Sequence, residues 1–112
     1  MNSPVEPIDL SDWIPVDSGA RVKGEIFESK DAILLSEDLL EVSLPSGRTI
    51  DVGWYPEHDP SGAYRVTLYL GHAGAPLKQF ETRDVYEALE EVRELIETDQ
   101  AFTAGSLQDR SP

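Results

Sequence analysis

At 112 residues the chain fits a single domain, long enough to bury a modest core without metal or disulfide staples. It has no cysteine, which removes zinc-cysteine centres, thiol nucleophiles and disulfide frameworks together. Its 22 Asp and Glu against 9 Lys and Arg give a net charge of −13, and because phosphate backbones are bound through counterion release by basic side chains, DNA, RNA and anionic lipid surfaces are expected to be repelled.

Residues 1–20 contain Pro4, Pro7 and Pro15, with Val5, Ile8, Leu10, Ile14 and Val16 scattered at no sustained period. An extended or partly disordered N-terminal arm is the expectation. Met1 to Leu10 carries no basic cluster and no apolar run, so no Sec-type signal peptide is expected. Nowhere is there the apolar run of about 18 residues that a membrane helix needs, so the default reading is a soluble, cytoplasmic protein. Ser11 and Asp12 could open one helical turn before Pro15 ends it. Trp13 in such an arm either docks on its own domain or anchors a partner.

The domain itself is read over residues 21–99. Val22, Gly24 and Ile26 alternate with Lys23, Glu25 and Phe27, as in a short strand over Arg21 to Phe27. The apolar run Ala32 to Leu35 is too short for periodicity to decide. A strand is favoured there because Ile33 is β-branched, with a short helix over 31–39 as the rival. Leu40, Val42 and Leu44 then alternate, Pro45, Ser46 and Gly47 turn the chain, and Ile50, Val52 and Trp54 resume the pattern. Pro56, Pro60 and Gly62 punctuate the next loop, after which Tyr64, Val66, Leu68 and Leu70 fall on one side. A glycine- and alanine-rich loop leads to a further strand over Leu77 to Thr82, with Phe80 inward and the stem of Lys78 along the same face. Trp54, Tyr64 and Phe80 are assigned to the core.

From Asp84 to Thr98 the period changes. Val85, Ala88, Leu89, Val92, Leu95 and Ile96 follow helical spacing, and Asp84-x-x-Glu87 supplies an N-cap with an acid three residues on. The period fails beyond Asp99, so 100–112 is expected to be a mobile tail. The fold class is therefore α+β, an antiparallel β-meander of about four strands with the C-terminal amphipathic helix packed across one face.

Asp59-x-x-Gly62-x-Tyr64-x-Val66 followed by Asp84-x-x-Glu87-Ala88-Leu89 is similar to the HicB-like antitoxins over about half the chain. Where that family has a proline-glycine segment before the helix, this chain reads Gly71 to Pro76, and no family is assigned.

Three groups of residues are candidates for function. Glu87, Glu90, Glu91, Glu94 and Glu97, relieved only by Arg93, are read as the outer face of the helix. Like charges one turn apart each cost a few tenths of a kcal/mol, about 0.2–0.5, so a stripe of this kind suits a basic protein partner better than stability alone. Tyr55 and Tyr69 are expected on the sheet face away from the helix, beside Arg65, in the composition of a protein contact. Glu57, His58 and Asp59 form the one polar loop where an acid/base pair could converge. His72, at the opposite end of the following strand, is expected too far away to join them, at about 20 Å or more. One His with two carboxylates falls short of a usual zinc site, EF-hand spacing is missing, and neither a G-x-S-x-G nor a P-loop occurs. No catalytic residue, metal or cofactor is assigned.

The leading expectation is a small acidic, non-catalytic interaction module of adaptor, inhibitor or immunity type. The alternative is a small enzyme or ligand-binding protein working from the Glu57 to Asp59 loop. A homodimer through a sheet edge or the outer face is compatible with either.

Overall fold

The computed structural model describes residues 6–71 and 75–109. His72 and the middle of the loop that contains it lie outside the described residues, as do both chain ends. The described chain forms five strands in one antiparallel sheet of order β1-β2-β3-β4-β5, followed by a single helix. The strands are β1 (Arg21–Gly24), β2 (Leu40–Ser43), β3 (Thr49–Tyr55), β4 (Ala63–Tyr69) and β5 (Pro76–Thr82), and the helix α1 is Val85–Asp109. The architecture is the expected α+β meander with one strand more than anticipated.

Register explains why one sheet face is apolar. Leu40 stands opposite Val52, Val52 opposite Val66, and Val66 opposite Phe80. One step along, Trp54 faces Tyr64 and the two rings meet edge to face at 4.8 Å. Helix α1 lies over β3, β4 and β5, and its apolar positions from Val85 to Ile96 close the core on that side. Large aromatic and aliphatic side chains buried in this way contribute about 1.5–3 kcal/mol each, which is what holds the two layers together. Leu70 departs from its expected inward position. The register slips between Leu68 and Tyr69, the strand ends at Tyr69, and Leu70 is exposed.

The Ala32–Leu34 segment corrects the favoured strand assignment. It is a single 3₁₀ turn, with Leu34 and Leu35 donating back to the carbonyls of Asp31 and Ala32. Leu35 is driven into the core as a plug, and the chain then rejoins the edge of β3 through Trp54 N–H to Ser36 O at 2.8 Å. That crossing needs a residue without a side chain at position 53, since a Cβ on Gly53 would come within 1.9 Å of the Glu37 carbonyl.

The N-terminal arm is docked on the helix side. Ile8, Leu10, Trp13 and Ile14 pack against the core, a 3₁₀ turn spans Leu10–Asp12, and Ile8 N–H donates to Ile26 O at 2.9 Å. Trp13 stacks on Tyr86 with ring centroids 5.7 Å apart and donates its indole N–H to Glu90 at 3.2 Å. The self-docked alternative therefore describes this tryptophan.

Helix α1 begins where the sequence places its cap. Asp84 Oδ1 accepts from Tyr86 N at 2.8 Å and Glu87 N at 3.4 Å. Its other end runs on through 100–109, the stretch expected as a tail. A 25-residue helix is about 37 Å long, whereas strands of seven residues reach about 23 Å, so the last turns of α1 overhang the sheet. Beyond the sheet the described residues offer no apolar layer for a stripe to cover, which is why the period fades there. The β2–β3 hairpin tip holds the start of the overhang. Ser46 Oγ donates to the buried Asp99 carboxylate at 2.6 Å, and the Arg48 guanidinium sits 4.4 Å from the Phe102 ring centroid.

Candidate functional site

The polar loop after β3 begins at a cis Tyr55–Pro56 peptide and returns to the sheet at Gly62. Glu57 Oε2 accepts from Ser36 Oγ at 3.3 Å and from Glu37 N at 3.1 Å. His58 sits in the left-handed region at φ 63° and donates its N–H to Leu35 O at 2.7 Å. Its Nδ1 lies 2.8 Å from Ala32 O. Because a carbonyl can only accept, Nδ1 carries the proton, and the other ring nitrogen is left 4.0 Å from Glu57 Oε1. Asp59 turns away from both. Its carboxylate accepts from Ser61 N and Ser61 Oγ at 2.9 and 2.7 Å, bonds that hold its pKa below the usual carboxylate range.

Glu57 and His58 are thus brought near each other, but each is aimed at the 32–37 segment, and Asp59 at its own turn. The Asp59 carbonyl also accepts the Trp54 indole N–H at 2.6 Å. The loop acts as a clasp that fixes the plug at Leu35 and the end of β3. Gly62 belongs to it, because a Cβ there would meet Tyr55 O at 2.3 Å.

The helix acids are arranged differently. Glu87, Glu90, Glu94 and Glu97 are exposed along α1. Glu91 corrects the predicted outer stripe, since it is only 7 % exposed and faces the sheet. One residue along a helix is a rotation of about 100°, which carries position 91 from the outer face of Glu90 towards the core positions Ala88 and Leu95. Lys78 of β5 approaches it, with Nζ 3.3 Å from Oε2, in an ion pair that lacks hydrogen-bond alignment.

Two grooves follow this flank of α1 beside β5. One, of about 390 Å³, has Phe80 and Tyr86 together with Glu87, Glu90, Glu91 and Glu94. The next, of about 400 Å³, continues from Glu94 past Glu97 to Ala101, with Lys78 on the strand side. Both are open to solvent. Within them Glu90 accepts from Trp13, Glu87 from Thr82 Oγ1, and Glu97 from Arg93 at 3.3 Å. All of these leave carboxylate lone pairs facing outward.

Tyr55 and Tyr69 lie on the opposite sheet face, in register with Ala63 and Thr49. The Arg65 guanidinium stacks 4.3 Å from the Tyr55 ring centroid and pairs with Glu81 at 2.9 Å. Burial, with Asp51 and Glu37 nearby, pushes the Tyr55 hydroxyl pKa up despite the opposing pull of Arg65. On the same face Asp51 is half-buried next to Asp38 and Glu41, and burial followed by these two charges raises its pKa. With Lys23 these acids line a cavity of about 200 Å³.

Sequence reasoning placed the stem of Lys78 on the inner face without naming Glu91 as its partner, and it gave no role to Asp51 or Asp99. The last had a legible signal, since it continues the helical spacing from Val92 and Ile96. Among the described residues no group of three or more His, Asp or Glu side chains is placed to hold a metal ion, and no helix is long and apolar enough to cross a membrane. No family model, curated protein or solved structure matches the chain.

Proposed function

We propose that this chain is a small, non-catalytic protein-interaction module, of adaptor, inhibitor or immunity type, that engages a basic protein partner through the acidic groove between α1 and β5. The observation that carries the reading is the disposition of Glu87, Glu90 and Glu94. They are exposed on one flank of a rigid helix, above the aromatic groups Phe80 and Tyr86, in a chain of net charge −13. Carboxylates around an aromatic surface are the chemistry that receives Lys and especially Arg, through ion pairing, hydrogen bonding and stacking. The excess negative charge steers a basic partner inward and repels nucleic acid and further copies of the chain.

The polar loop supports a catalytic reading less well, because the groups that would act on a substrate are engaged by the fold. The Tyr55 and Tyr69 face is a weaker docking surface for a basic partner, because Arg65 places a cation over the Tyr55 ring and occupies Glu81.

The test is the association rate of a Lys- and Arg-rich peptide at low ionic strength with the wild-type chain, with Glu90→Lys/Glu94→Lys, and with Glu6→Lys/Asp17→Lys. The last carries the same change in net charge at exposed positions of the arm. A rate that falls about tenfold in the helix variant and much less in the arm variant supports the groove. Equal losses in both would reduce the effect to net charge and overturn it.

A further inference from the structure

We infer that the groove receives its partner as an extended basic strand, added to the open edge of β5, with alternate Lys or Arg side chains reaching the carboxylates of α1. The inference rests on the groove being the partner surface, and it adds the partner's conformation.

Among the described residues strand β5 is the outermost of the sheet and bonds only to β4. Seven residues long, it presents every second N–H and C=O to solvent, apart from the N–H that Pro76 lacks. The opposite edge, β1, is only four residues long. Lys78 of this strand leans toward Glu91 with 59 % of its side chain exposed, so an added strand has to displace it as a guard of the edge. Leu77 on this edge is half exposed, which leaves an apolar contact for an incoming strand.

Helix α1 returns antiparallel to β5. Phe80 shares its groove with Glu87 and Glu94, and Lys78, nearer the start of the strand, shares the next one with Glu97 and Ala101. A strand laid beside β5 would therefore run along the acidic flank rather than across it. Its same-side residues would recur about every 6.7 Å. Glu87 and Glu94 are about 10.5 Å apart along the helix axis, a span that two or three successive long basic side chains cover.

Glu91 provides an independent reason to expect an incoming donor. It is more than nine-tenths buried, and its Oε2 accepts no hydrogen bond. Its one cation among the described residues, Lys78, is off alignment and 59 % exposed. A buried carboxylate oxygen without a hydrogen bond is costly, and because this one has almost no open surface and already has Lys78 Nζ 3.3 Å away, a guanidinium on the added strand would satisfy it by taking the place of the Lys78 ammonium.

The probe is a short synthetic peptide of alternating Arg and Val, compared with the same peptide N-methylated on every second amide. Both are titrated into the full chain at low ionic strength while the backbone amides are followed by NMR and hydrogen exchange. The expected result is protection of the outward amides between Leu77 and Glu81, with affinity at least about tenfold weaker for the methylated peptide that loses the edge bonds. Equal affinity for the two peptides, with β5 amides unmoved, would overturn strand addition and leave the acidic-groove reading standing. No binding by either peptide would overturn both. Protection of the same amides in the free protein, rising with its concentration, would assign the edge to a second copy and overturn the basic strand.

Discussion

The loop from Glu57 to Asp59 and the flank of α1 from Glu87 to Glu97 both concentrate carboxylates, but they direct them to opposite ends. In the loop Glu57 and the His58 imidazole are aimed back at the 32–37 segment, where they satisfy its donors and acceptors, and Asp59 satisfies its own turn at Ser61. On the helix the acids stand in a solvent-open groove, with side-chain partners that use part of their acceptor capacity. A polar cluster close in sequence is therefore not the same object as a polar surface assembled in register. Inward-directed groups should reveal themselves in stability, and outward-directed ones in binding.

The largest effect should come from the loop's tightest point. Gly62→Ala forces a Cβ against the Tyr55 carbonyl and the Trp54 indole, and should cost about 1–3 kcal/mol, read as a lower urea midpoint and a shifted Trp54 fluorescence. An unchanged midpoint would show that the clasp is loose. Next, Glu90→Lys/Glu94→Lys should weaken a basic peptide about tenfold, roughly 1.4 kcal/mol, with little change in thermal midpoint. Lys78→Ala should cost about 1 kcal/mol, because it strips a buried carboxylate of the cation beside it while losing a half-exposed pair. Calorimetry at neutral pH would measure it.

The smallest effect concerns Asp51. Its pKa in the folded chain is raised by burial and by Asp38 and Glu41, so the folded state holds this proton more tightly than the unfolded chain. The contribution of Asp51 to stability must then fall as pH rises through the carboxylate range. Asp51→Asn should stabilise the protein at neutral pH by a few tenths of a kcal/mol after solvent screening, and the gain should vanish in acid. A loss of stability at neutral pH would mean the acid has a partner instead.

The layered fold could be read from the residues because period-two alternation in β2, β3 and β4 and helical spacing from Val85 to Ile96 are statements about burial, which the register then repeats. The turn at Ala32–Leu34 could not, since a short apolar run carries no period and its conformation is set by long-range bonds from Trp54 and His58. The overhang of α1 was illegible for the converse reason, as it covers no sheet. Of the site, the exposed helix acids were legible. Glu91 was misplaced by a rotation of one residue, and the inward use of Glu57 and His58 depends on partners more than twenty positions distant for His58 and Ala32.

The contrast between the two regions is tested most directly by measuring unfolding free energy and basic-peptide affinity side by side for Glu57→Ala and for Glu90→Lys/Glu94→Lys. The account predicts that Glu57→Ala loses about 1 kcal/mol of stability and keeps its affinity, while the helix variant keeps its stability and loses about tenfold in affinity. Loss of affinity in Glu57→Ala at full stability would contradict it and move the functional surface to the loop.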